Sequence, residues 1–216
     1  CDLILGDGGV VDKWSKLGVK GWRLDVVDEL PIDFTDKLCA RIRSEGDDML
    51  VVGEVWEDAS VKIAYSEWRP YFMGEQLDSV MNYPFKEAIL SYVLNGDKNA
   101  FIADVTAVLE HYPKQSLDVL MNLVDSHDTA RAITVLSGVK PPYSKKDRAD
   151  FTLSCEQYDL AKRRLKVASA LQYTLPGVPC VFYGDEAGKQ GFEDPLNRGT
   201  YPWGREDTDL IEHYRA

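Results

Sequence analysis

Five short segments of this chain are largely apolar along their whole length, and helix-patterned segments separate them. They are residues 21–26 (GWRLDV), 49–54 (MLVVGE), 78–82 (DSVMN), 118–124 (DVLMNLV) and 179–183 (PCVFY). A strand that is apolar on both faces needs cover on both, and helices crossing between parallel strands supply it. The pattern restricts the fold to α/β, built either as an open doubly wound sheet or as a (β/α)8 barrel. No glycine-rich phosphate turn follows any strand, which weakens the nucleotide-binding form of the open sheet.

The intervening helices are predicted at 9–17, stopping at Gly18, and at 33–45, stopping at Gly46. Another enters through Pro84, a favoured first-turn position, and ends near Gly96. Helices follow at 98–111, briefly from near Asp128, and at 156–174, and residues 138–154 read as a long polar loop. With 44% hydrophobic residues in 216, the chain can bury a sizeable core. A net charge of −11 provides no basic footprint, so neither nucleic acid nor an anionic membrane is an expected partner. No apolar run approaches the ~18–20 residues of a membrane span, and no secretory leader opens the chain. The first residue is Cys1 rather than Met, which suggests an excised piece or a processed form. The cysteines at 1, 39, 155 and 180 show no CxxC spacing and are expected to be reduced thiols, which points to a cytoplasmic location.

Acidic residues recur where strands end. Arg23-Leu24-Asp25 closes the first, Gly53-Glu54 the second, Asp125-Ser126-His127-Asp128 the fourth and Tyr183-Gly184-Asp185-Glu186 the fifth. Carboxylates at one end of a parallel sheet are expected to converge on one pocket. Strand alternation places Arg23 and Asp25 on one face, where the guanidinium would keep the aspartate ionised. Glu54, following Leu50-Val51-Val52-Gly53 and preceding Val55-Trp56, is expected in apolar surroundings that hold it protonated. One charged and one neutral carboxyl make the nucleophile and acid of a glycosidase. A buried Arg–Asp pair with an unrelated glutamate is the competing interpretation.

GWRLDVVDE (21–29), VVGEVWED (51–58) and LVDSHDTAR (123–131) resemble, in order and spacing, three strand-end motifs of the α-amylase superfamily, glycoside hydrolase family 13. SVMNYPF (79–85), GVPCVFYGDEAG (177–188) and DPLNRGTYPWGRED (194–207) are similar to its neopullulanase, cyclomaltodextrinase and maltogenic amylase branch. The resemblance implies a partial TIM barrel, strands four to eight with outer helices, over residues 1–216. It implies Asp25 as nucleophile, Glu54 as acid/base and Asp128 as a third acid holding sugar hydroxyls. Arg23 would support the nucleophile, His127 would bond a sugar hydroxyl, and Asp194 and Arg198 would bind a neighbouring glucose. Trp56 is either core or a sugar-stacking platform. Tyr183 reads as barrel core, Trp203 as packing, and SKKDRAD (144–150) as a solvated loop.

The implied activity is retaining hydrolysis, with some transglycosylation, of α-1,4-glucosidic bonds in starch-type glucans, pullulan or cyclodextrins. No cofactor is required for that chemistry; calcium is compatible with the intact enzyme, although no strong calcium loop is present here. The rivals are a non-catalytic amylase-like interaction subunit, which usually lacks the acids found here, and a carboxylate-bound metal hydrolase. The three histidines (111, 127, 213) have no paired ligand spacing, which argues against the latter. The branch commonly has a second arginine after position 198, where this chain has Gly199. The first three strands, the protruding small domain, the amino-terminal starch-binding-type domain and the carboxy-terminal β-domain have no counterpart. The piece alone is therefore expected to be inactive and to self-associate through unpaired sheet edges.

Overall fold

The computed structural model describes residues 2–216. In chain order the strands are β1 (Gly21–Leu24), β2 (Leu50–Gly53), β3 (Ile63–Ala64), β4 (Glu67–Trp68), β5 (Ser79–Asn82), β6 (Met121–Asn122) and β7 (Val178–Pro179). The early helices are α1 (Asp2–Leu5), α2 (Val10–Lys16), α3 (Ile32–Arg43), α4 (Tyr83–Asn95) and α5 (Lys98–His111). The later ones are α6 (Lys114–Asp118), α7 (Ala132–Leu136), α8 (Lys145–Ala149), α9 (Cys155–Thr174) and α10 (Thr208–Arg215). Among the described residues no helix is long and apolar enough to cross a membrane.

The chain divides into two compact units. The first holds residues 1–84, 106–121 and 176–178, and with them β1, β2, β5 and the opening residues of β6 and β7. The sheet runs in the order β1-β2-β5-β6-β7. β1 pairs with β2, and β2 with β5, in parallel, with Trp22 opposite Val51 and Val52 opposite Ser79. Every sheet strand neighbours the next one in the chain. A doubly wound sheet instead reverses its order at a switch point, so the sequential order is that of a barrel wall. Val51, Val80 and Met81 are buried in it, with Leu38, Cys39 and Ile42 of α3 in the same core. Burial pushes the Cys39 thiol up to about 11, the behaviour of an inert core cysteine. Cys39, Cys155 and Cys180 are free thiols, and Cys1 lies outside the described residues.

The second unit holds residues 85–105, 122–175 and 179–216. Its long helix α9 starts at a capping box: Ser154 Oγ accepts from Gln157 N while Gln157 Oε1 accepts from Ser154 N. Ala161, Leu165 and Ala168 of α9 are buried, as are Ala132, Ile133 and Leu136 of the neighbouring α7.

Helices match their sequence patterns closely, whereas all five predicted strands are shorter than expected. β1 stops at Leu24, because Val26 takes a left-handed conformation (φ 41°) that no strand accommodates. β6 covers only two of the seven residues expected: α6 uses residues up to Asp118, and Asn122 O accepts from both Cys180 N and the Gln172 side chain. The same Gln172 amide donates to Cys180 O, and β7 is Val178–Pro179 rather than 179–183. The helix expected near Asp128 begins at Ala132. The 138–154 loop, with its SKKDRAD stretch, contains the exposed helix α8, capped by Ser144 Oγ accepting from Asp147 N. The β3–β4 hairpin, α6 and α10 have no counterpart in the sequence prediction.

Candidate active site

In the first unit the acids sit just past strand ends. Asp25 follows β1, and its side chain is 72% exposed. Arg23 does pair with it, as the alternation suggested, but the competing interpretation of a buried Arg–Asp pair fails on this exposure. The buried carboxyl is that of Glu54, 4% exposed, directly after β2. Nor are its surroundings apolar: Oε2 accepts from Val26 N at 2.9 Å and Oε1 from Trp56 Nε1 at 3.1 Å. Arg23 joins the two acids, with Nη1 on Asp25 and Nη2 2.7 Å from Glu54 Oε2.

Two backbone features hold this arrangement. Left-handed geometry at a β-branched residue costs on the order of 1–3 kcal/mol, and Val26, whose amide donates to Glu54, adopts it. At Gly53 a Cβ would run into Leu77 Cδ1 and Val27 Cγ1, so a side chain there would have to displace them. Trp56 is neither plain core nor free: its indole stacks on Tyr83 (4.2 Å between centroids, 8° apart) yet stays 46% exposed.

In the second unit His127 Nε2 lies 3.1 Å from Asp128 Oδ2, and Arg198 Nη2 lies 3.1 Å from Asp128 Oδ1. Arg198 Nε also pairs with Asp194 at 2.5 Å. His127, Asp128, Asp194 and Arg198 are thus brought together, with one arginine spanning two acids as Arg23 does.

The other strand-end acids have a different place. Asp125 and Asp185 are buried beside one another, Asp125 accepting from Ala132 N at 2.7 Å and Asp185 from Arg131 Nη1 at 3.1 Å. Burial raises both carboxyls, Asp185 well above the usual range, and the charge of Asp125 raises it further. One proton held between the two carboxyls would relieve this repulsion. Glu186 accepts from Gly184 N within its own turn. Tyr183 is half-exposed rather than core and donates to Gly199 O, and Trp203 is 80% exposed rather than packed. Beside Gly199, where the branch commonly has arginine, Lys189 Nζ lies 2.8 Å from the position of a Cβ and donates to Thr200 O. Among the described residues no group of three or more His, Cys, Asp or Glu side chains is placed to hold a metal ion.

The sequence matches the alpha amylase catalytic domain family over residues 5–211. The chain belongs to the alpha-amylase family. It is 34% identical over 203 residues to a cyclomaltodextrinase of Bacillus sp, covering 92% of this chain and 31% of that protein. It is 35% identical over 206 residues to neopullulanase 2 of Thermoactinomyces vulgaris, covering 94% and 30% respectively. Among solved structures, the cyclic alpha-maltosyl-(1→6)-maltose hydrolase of Arthrobacter globiformis, complexed with cyclic alpha-maltosyl-(1→6)-maltose, superposes with TM-score 0.76 at 28% identity. That match covers 95% of this chain and 40% of that one. This alpha-amylase family chain spans under a third of the length of these two curated relatives. Its sequential sheet is a part of the (β/α)8 barrel.

Proposed function

We propose that residues 1–216 form the later part of a catalytic barrel in a retaining glycosidase. It cleaves α-1,4-glucosidic bonds of starch-type glucans, pullulan or cyclodextrins, with some transglycosylation. The observation that carries this reading is the single Arg23 guanidinium lying against both Asp25 and Glu54. One guanidinium touching both brings the two carboxylates to one site, as the nucleophile and acid of a double displacement require. Exposed Asp25 attacks the anomeric carbon while Glu54 protonates the leaving oxygen, and Glu54 then takes a proton from the water that releases the sugar. Asp128 and His127 hold sugar hydroxyls, Asp194 and Arg198 a neighbouring glucose, and the exposed face of Trp56 a pyranose ring. The names of the relatives, cyclomaltodextrinase and neopullulanase, support this substrate class.

The test is hydrolysis of maltooligosaccharides, cyclodextrin and pullulan by the full-length protein and its Asp25→Asn variant. Turnover that the variant abolishes is expected. No hydrolysis of any of the three would favour an amylase-like interaction subunit instead. The isolated 216-residue piece is expected to be inactive or nearly so, since ~1 Å of misplacement costs about 10²-fold.

A further inference from the structure

The turn that carries His127 and Asp128 is gripped by a side chain outside the acid set. Asn197 is fully buried, and its Nδ2 donates to three carbonyls of that turn: Ser126 O at 3.2 Å, His127 O at 2.8 Å and Thr129 O at 2.7 Å. Two amide hydrogens serve three acceptors, so at least one is shared. The reversed amide would set its oxygen against those three carbonyl oxygens, so the acceptors fix its orientation.

Asn197 is itself anchored. Its carbonyl accepts from Arg131 Nε at 2.8 Å. Arg131, wholly buried, also donates to Tyr183 O at 2.7 Å and lies 3.9 Å from the centre of the Phe182 ring. The next residue, Arg198, donates to His127 O at 3.0 Å. Local bonds such as Asp128 N to Ser126 Oγ (3.2 Å) fix the shape of the turn. Asn197 fixes where the turn sits relative to Arg198 and Asp194.

We propose that Asn197 is a positioning residue for Asp128, setting the place of the 126–129 turn through its three carbonyls. This rests on Asp128 being the third acid. Asn197→Ala releases three acceptors at once, and a shift of ~1 Å at Asp128 lowers kcat by up to about 10²-fold. KM changes less, because the residues assigned to glucose binding keep their side chains. Asn197→Ser retains one donor and falls between.

The experiment is a double-mutant cycle in the full-length protein, using an activated aryl maltooligosaccharide, with folding checked by circular dichroism. Asn197→Ala should lower kcat in the parent and add little in an Asp128→Ala background, because both act through one group. Equal losses in both backgrounds, or a parental kcat in folded Asn197→Ala, would overturn the proposal. If the alanine variant does not fold, Asn197→Ser goes through the same cycle, with additivity again the overturning result. Unchanged turnover in Asp128→Ala alone would remove the third-acid assignment, and the positioning role with it.

Discussion

Arg23 is the residue on which the arrangement of Asp25 and Glu54 depends. Its Nη1 touches an exposed aspartate and its Nη2 a buried glutamate, so the two ends of one rigid fork serve different surroundings. Arg23→Met leaves Glu54 buried with two hydrogen-bond donors and no cation. A loss of about 1–3 kcal/mol in urea unfolding is expected, together with reduced kcat in the full-length protein. Arg23→Lys, a point charge that cannot fork, should recover part of the stability and less of the rate. Unchanged stability and kcat in Arg23→Met would contradict this role. The position of Asp25 and Glu54 just past β1 and β2 was legible, because each follows an apolar run of strand length. The polar shell of Glu54 was not, since its Val26 donor depends on a backbone conformation that β-branched residues rarely adopt. Asn197 was also hidden: a lone asparagine before an arginine carries no periodicity and no charge.

Where β6 and β7 have ended, the following segments meet through Asp125 and Asp185, and the pair has a consequence for pH. Unfolded, both carboxyls ionise near ~3.9; folded, burial and mutual repulsion keep a proton on the pair, chiefly on Asp185. The stabilisation is complete below the unfolded value and is lost as pH rises through the raised folded value. Asp185→Asn imitates the protonated form and removes that loss. Urea unfolding from about pH 4 upward should show parental stability falling relative to the variant as pH rises. Carboxyls held low, such as Asp207 beside Lys162, act in the opposite sense and cancel in the difference. A parent–variant difference independent of pH would contradict the shared proton. Helices were legible at this scale because period, stop glycines and first-turn residues agree, as at α9. Strand lengths were not. Apolarity reports burial, whereas strand length depends on which backbone groups find a ladder partner.

Across the whole molecule, β1 and β7 each have a single neighbour in the five-stranded order. Unpaired edges invite further pairing, and Val178 on β7 and Trp14 on α2 are exposed apolar side chains. The isolated piece is expected to self-associate in sedimentation velocity; a stable monomer at micromolar concentration would contradict that. The α/β class was legible in the alternation of strand and helix and the barrel in the motif resemblance, but the sequential order was not legible in periodicity, which carries no information on which strands pair. The central claim, double displacement at Asp25, is tested most directly by trapping its covalent intermediate. The full-length protein is incubated with a fluorinated maltosyl fluoride and digested, and the labelled peptide is sequenced by mass spectrometry. A glycosyl adduct on Asp25 is expected. An adduct on another residue, or hydrolysis with inverted anomeric configuration and no adduct, would contradict it.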